Sequence, residues 1–327
     1  MKSILLLRPD KAGDLIKSLP AIRALNSMGS NFEVHVMTSQ ANHSILKFEP
    51  AIRYSVLPNN WAEKTDEKLK SIIKEITHNA YFDSAINLLC DPFADVERLL
   101  NLSPAQDKFS VISESLPVGV WPLSLQKGTP ENRDETLNIG ELLERALEVE
   151  ILNSIAFKDT SPKLGVEDFS EAEINLGFKE GFWLGICPFA GTANRTHSTK
   201  KWIKFIAKIL TYSKYKKCIV FGAPSDSETL HEIAQKLNCP ERLHISIPSS
   251  FRALGAYLKR CDQVVAVDSG PLHFSLSLGI PSLGFLSGGD HLRWFNRVSP
   301  QDKIIRRGIF NRYPSYIEML WHFSRWA

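Results

Sequence analysis

Short apolar runs rich in β-branched residues alternate along the chain with longer segments whose apolar positions recur at helical spacing. That switch between two periods predicts βαβ units and a parallel sheet. In the first half the runs Ser3 to Arg8, Glu33 to Thr38, Arg53 to Leu57 and Ser84 to Leu89 predict strands, with helices over Asp14 to Leu25, Glu63 to His78, Pro92 to Leu100 and Asp134 to Glu148. A less hydrophobic stretch from Ile151 to Glu180, containing Asp159-Thr160-Ser161-Pro162, has the composition of a linker.

The alternation then restarts. Strands are expected at Phe182 to Cys187, Cys218 to Phe221, Leu243 to Ile245, Gln263 to Val267 and Ser282 to Leu286, and helices at Lys200 to Tyr212, Asp226 to Leu237, Phe251 to Lys259 and Pro271 to Leu278. The fold class is therefore α/β with two Rossmann-like domains, the first over residues 1–160 and the second over 175–311. A terminal helix over 314–327, with Tyr316, Ile317, Leu320 and Phe323 at helical spacing, is expected to pack back on the first domain.

Three segments carry candidate chemistry. In Leu5-Leu6-Leu7-Arg8-Pro9-Asp10-Lys11-Ala12-Gly13-Asp14 a buried strand runs through a short loop into a helix. Asp14 thus stands at the carboxyl end of a strand, where open α/β sheets place their ligands, or it simply caps its helix. Pro20 suggests a kink or a late helix start. In Gln263 to Pro281 a strand turns through Asp268-Ser269-Gly270 into a helix with Pro271 in its first turn and Gly279 past its end. Unpaired N–H groups and the dipole at such a start suit a diphosphate, and His273, one turn in, can reach the same anion. Ordinary capping by Asp268 or Ser269 is the plainer reading. Between these lies the polar loop Pro188-Phe189-Ala190-Gly191-Thr192, followed by Lys200-Lys201-Trp202 at a helix start, which can supply hydroxyls and a cation to phosphates. Lys204 and Lys208 repeat at helical spacing from Lys200 and read as a solvated basic face.

Composition narrows the classes. With 327 residues, 43% hydrophobic and 23% charged, the chain suits a soluble two-domain protein. The apolar run before Arg8 is too short for an export signal, and no stretch approaches the ~20 residues of a membrane span, so a cytoplasmic location is expected. Five scattered cysteines without a C-x-x-C pair suggest neither a disulfide framework nor a zinc site. A net charge of +3 is too mild for a nucleic-acid partner and suits anionic substrates. Dehydrogenase, P-loop, zincin and α/β-hydrolase motifs are absent, and no acidic metal cluster is apparent, so no metal or cofactor is expected.

Together the segments resemble the heptosyltransferases of lipopolysaccharide core synthesis, glycosyltransferase family 9. The resemblance rests on Gly13-Asp14 with Leu19-Pro20-Ala21, on Pro188 to Gly191 with Lys200-Lys201-Trp202, and on Asp268-Ser269-Gly270-Pro271-Leu272-His273 with Leu278 to Pro281. It implies the GT-B fold, two Rossmann-like domains facing a central cleft, and inverting transfer without a metal. The family's donor is typically ADP-heptose and its acceptor an anionic, Kdo-bearing glycolipid, which implies peripheral contact with the inner face of the inner membrane. By the same resemblance Asp14 is the catalytic base. Lys200, Asp268, Ser269, Gly270 and His273, with Thr192, hold the donor diphosphate, and Lys11 and Arg8 meet acceptor anions. The chain departs from the family pattern at Ser287-Gly288-Gly289-Asp290 and around Asn132 to Leu143. The competing readings are a catalytically silent GT-B protein that binds nucleotide or glycan, and a GT-B enzyme with another nucleotide-sugar donor.

Overall fold

The computed structural model describes residues 1–49, 52–91, 93–111, 116–125, 134–177, 179–192, 195–212, 214–286, 291–295, 299–306 and 314–327. The chain divides into two compact units, Met1–Lys163 with Leu292–Trp294, and Leu164–His291 with Phe295–Ala327.

The first unit runs β1 (Lys2–Leu7), α1 (Ala12–Asn26), β2 (Phe32–Ser39), β3 (Arg53–Leu57), α2 (Asp66–Ile76), β4 (Phe82–Asn87), α3 (Ala94–Leu102), β5 (Ala105–Val111), β6 (Trp121–Leu123) and α4 (Glu135–Leu147). Every pairing is parallel, in the order β3-β2-β1-β4-β5-β6. β1 carries the unbroken apolar run from Ile4 to Leu7 because helices cover both faces of a parallel sheet. On one face Leu5, Leu7, Met37 and Ala85 pack against Leu69 and Ile73 of α2 and Val96, Leu99 and Leu100 of α3. α1 starts at Ala12 and continues past Pro20 to Asn26, so the late start that Pro20 suggested does not occur.

The second unit opens with α5 (Val166–Leu176), inside the stretch expected to be linker. It continues through β7 (Phe182–Cys187), α6 (Thr199–Ile209), β8 (Tyr215–Phe221), α7 (Ser227–Leu237), β9 (Leu243–Ser246), α8 (Phe251–Lys259), β10 (Gln263–Val267), α9 (Gly270–Ser277), β11 (Ser282–Phe285), α10 (His291–Phe295), β12 (Lys303–Ile305) and α11 (Tyr316–Ser324). Its sheet is also all-parallel, β12-β11-β10-β7-β8-β9. Counted from its own first strand, this is the same 3-2-1-4-5-6 order as the first unit, the doubly wound arrangement of Rossmann-like domains.

The terminal helix lies within the second unit. Met319 and Phe323 of α11 are buried in the second unit's core with Phe205, Tyr215 and Phe285, and the Phe323 ring meets Phe205 edge-on at 5.6 Å. The helical spacing was legible, and the apolar face it marks is covered by the aromatic surface of α6 and β8. α5 is held by an ion pair between Asp168 and Arg252 of α8 and by Asn175 Nδ2 donating to the Tyr257 hydroxyl at 2.6 Å. Four of the five cysteines, Cys90, Cys187, Cys218 and Cys261, are buried as free thiols.

Candidate active site

In an open α/β sheet the strand order reverses at one point, and ligands bind beyond the carboxyl ends of the two strands that flank it. In the first unit these are β1 and β4, and in the second β7 and β10. Each candidate segment leaves one of these strands: Arg8 to Asp14 follows β1, Pro188 to Lys200 follows β7, and Asp268 to His273 follows β10.

In the first unit Lys11, not Asp14, is the N-cap of α1, and it makes no side-chain cap hydrogen bond. Asp14 lies in the helix's first turn, half-buried, with its backbone N–H donating to Lys11 O at 3.1 Å. The capping reading therefore does not apply. A carboxylate in the first turn interacts favourably with the helix dipole. Lys11 is exposed.

Arg8 is not offered to an external anion. Its side chain is 1% exposed; Nη1 donates to Leu88 O at 2.8 Å, Nε faces Asp10 Oδ1 at 3.3 Å and Nη2 faces Glu135 Oε1 at 3.7 Å. Glu135 in turn accepts from Arg293 Nε at 2.5 Å, and Arg293 Nη1 donates to Asp91 Oδ2 at 2.6 Å. Nearby, Lys17 Nζ stands 3.7 Å from Asp134 Oδ2, and Asp134 Oδ1 caps α4 by accepting from Thr136 N at 3.0 Å. Burial pushes the Asp10 carboxyl up against the opposing pull of Arg8, and the charge of Asp14 adds to the rise. Against burial, which opposes charging, Asp10, Asp14 and Glu135 raise the proton affinity of Arg8.

Sequence reasoning missed Asp10, Asp134, Glu135 and Arg293. The Arg8-x-Asp10 spacing at a strand end was a visible signal, whereas Arg293 is brought to Glu135 across 158 positions.

In the second unit Lys200 is exposed in the first turn of α6, with no ion-pair partner among the described residues. Thr192 is exposed in the loop before it. The hydroxyl of Thr196 donates to Pro188 O, and Arg195 N donates to Thr192 O at 3.0 Å. Arg195 Nε stands 3.8 Å from Asp268 Oδ2.

Ser269 is the N-cap of α9 but does not cap it with its side chain; its hydroxyl donates back to Val267 O at 3.1 Å. The first N–H groups of a helix have no intrahelical acceptor, and Pro271 has no N–H to offer. Ser269 and Gly270 therefore present the donors at this end. Space beside Gly270 is tight, since a Cβ there would meet Phe251 Cε2 at 3.2 Å. His273 is stacked on Phe295, centroids 4.7 Å apart and planes 9° from parallel, which fixes the plane of its ring. Such a start, with Lys200 in the same unit, can bind a diphosphate. The Ser287-Gly288-Gly289-Asp290 turn and Asn132 lie outside the described residues.

The family model for glycosyltransferase family 9 (heptosyltransferase) matches residues 143–317, which include every second-unit candidate and exclude Asp14. The chain is 25% identical over 291 residues to lipopolysaccharide heptosyltransferase 3 of Escherichia coli K12, covering 86% of this chain and 81% of that protein. The family 9 glycosyl transferase structure from Veillonella parvula superposes with a TM-score of 0.78 at 16% identity, over 99% of this chain and 97% of that one. E. coli heptosyltransferase WaaC, solved with ADP-2-deoxy-2-fluoro heptose, gives 0.74 at 14% identity, over 99% and 100%. With half of its length matched to the family model and the same fold in these structures, the chain belongs to glycosyltransferase family 9, the heptosyltransferases, and is a glycosyltransferase.

Proposed function

We propose that this enzyme is an inverting, metal-independent transferase that moves heptose from ADP-heptose onto a lipopolysaccharide core sugar or a related anionic glycolipid. The observation that carries this reading is the coincidence of Asp14 with the switch point of the first sheet and of two uncapped helix starts, at Lys200 and at Ser269-Gly270, with that of the second. The name of the E. coli relative and the ADP-sugar in the WaaC structure support the donor and acceptor classes.

Asp14 takes the proton of the acceptor hydroxyl. The oxygen attacks the anomeric carbon from the face opposite the diphosphate, the bond from that carbon to the diphosphate oxygen breaks, and the configuration inverts. Lys200 and the N–H groups of Ser269 and Gly270, with Thr192 and His273, offset the charge that grows on the departing diphosphate, a stabilisation that often dominates catalysis. Asp268 orients Arg195 beside them. Lys11 meets an anionic group of the acceptor. No cofactor takes part, and the nucleotide sugar is a co-substrate. The enzyme works at the cytoplasmic face of the inner membrane by peripheral contact; no helix among the described residues is long and apolar enough to cross a membrane.

The test is thermal stabilisation by ADP, UDP, GDP and their sugars in EDTA, followed by transfer to a lipopolysaccharide-core acceptor. A ligand at 100 times its Kd adds about 2.7 kcal/mol. A selective ADP response with transfer supports the proposal. Selectivity for UDP or GDP replaces the donor, and no response to any nucleotide overturns it in favour of a glycan-binding protein.

A further inference from the structure

From Ala12 to Ile22 every residue of α1 is buried except Asp14 and Lys17. Residues three apart share one face of a helix, with Cβ atoms about 5–6 Å from each other. A long helical side chain also leans towards its own helix's N-terminus, so Lys17 is directed back along the Asp14 face. Its position bears this out, for Nζ reaches Asp134, the residue that caps the start of α4.

Arg8 and Lys17 thus face consecutive carboxylates, Glu135 and Asp134, but they differ in what they have left to offer. Arg8 is 1% exposed and its Nη1 is committed to Leu88 O. The Lys17 side chain is 15% exposed, and its Nζ stands 3.7 Å from Asp134 Oδ2, beyond hydrogen-bond reach. Asp134 Oδ2 is sealed from solvent with no hydrogen-bond partner among the described residues, while Oδ1 is taken by Thr136 N. Asp134 therefore holds the ammonium by charge, and no described residue takes any of its three N–H donors.

We propose that Lys17 is an acceptor-binding residue, whose ammonium donates to an anionic oxygen of the acceptor, a sugar carboxylate or a phosphate, and seats that sugar beside Asp14. The contact expected of Arg8, which burial rules out, falls to the next cation on this side. A partly buried ammonium whose charge is met only at a distance gains more from an anion than a fully solvated one does. Asp134 keeps the lysine in place between turnovers. The inference rests on the reading of Asp14 as the base that faces the acceptor.

The experiment is calorimetric binding of a lipopolysaccharide core oligosaccharide to the ADP-loaded protein, where no sugar is present to transfer. The core is used intact, with its carboxyls reduced to alcohols, with its phosphates removed, and with both treatments. Lys17→Met should weaken binding of the intact core by about tenfold, the worth of one charge-assisted hydrogen bond, with ADP affinity held, and Lys17→Arg should restore most of it. The single treatment that makes the unaltered protein and Lys17→Met bind alike identifies the anion. In turnover the same variant raises the acceptor KM and leaves kcat unchanged. Equal affinity of the two proteins for the intact core overturns the proposal, as does a loss that persists with the doubly treated core, which would make Lys17 a structural partner of Asp134. Lys17→Gln gives the same reading if Lys17→Met does not fold. Absence of core binding to the unaltered protein, or transfer that survives Asp14→Asn, overturns instead the functional reading on which this rests.

Discussion

Lys201 Nζ lies 3.1 Å from Nδ1 of His197, just before the start of α6, so the imidazole accepts where it would otherwise carry charge. His197 is 6% exposed and meets Trp202 edge-on at 5.9 Å. Burial first, and then the Lys201 ammonium, hold its pKa down to about 3. An unfolded chain takes up this proton as pH falls through about 6.5, and the folded chain resists until about 3. Stability is therefore complete above pH 6.5 and is lost on acidification below it. His35, held down to about 4 by burial and Arg53, adds a loss of the same sign. Urea midpoints at pH 7 and pH 5 should differ less in His197→Asn than in the unaltered protein; equal differences would refute the assignment.

Asp14→Asn should abolish transfer, by about 10²- to 10⁴-fold for a lost general base, while nucleotide binding is kept. Because Lys11 is the cap, the cost to stability is only the loss of a charge near the helix start, about 0.3–1 kcal/mol. Rate and melting temperature measured together separate the two effects, and a variant that loses both in proportion would assign Asp14 a structural role.

Lys200→Met removes an exposed cation, so the melting temperature of the free protein should hold while affinity for a nucleoside diphosphate falls by about tenfold, the worth of one charge-assisted hydrogen bond. Gly270→Ala should weaken the same ligand, since its Cβ must push Phe251 aside at the mouth of α9. Calorimetric titration with ADP reads both, and undiminished affinity in Lys200→Met would remove that lysine from the site.

α9 is seated through Phe274, which stacks on Phe251 at 5.0 Å and fills the space over Gly255. A Cβ at Gly255 would stand 2.3 Å from Phe274 Cζ. Gly255→Ala should therefore destabilise by about 1–3 kcal/mol through overpacking, and should weaken ADP binding by shifting the helix start. Denaturant unfolding that matches the unaltered protein would show that α8 and α9 yield freely.

The strands of the two sheet centres were legible because burial on both faces demands continuous apolar runs, as in β1 and β10. β5 was not, because Gln106, Asp107 and Lys108 interrupt the run. β6 and β12 are three residues each, too short for any period to show. α5 read as linker because only Asp168, Ala172 and Leu176 of its eleven residues are buried, and one of these is a charge that makes sense only beside Arg252. The same limit applies at the candidate site. Asp14 and Ser269-Gly270 announce themselves by their place after a strand end and Lys200 by the helix start that follows a polar loop, whereas Glu135 and Arg293 are brought together only when distant stretches of chain meet.

Burial pushes the thiol of Cys218 up to about 12 and those of Cys90, Cys187 and Cys261 higher than their ordinary values, so in the folded protein none of the four presents a reactive thiolate. Cys239 differs from these four in being only partly covered, and its thiol is raised as well, by its hydrogen bond to Glu241. With Cys239 replaced by serine, the slow reaction of the remaining thiols with an alkylating reagent becomes a clock for local opening. Cys90 keeps time for the first unit and the other three for the second, so a nucleotide that steadies only the second unit should slow three of the clocks and leave the fourth running.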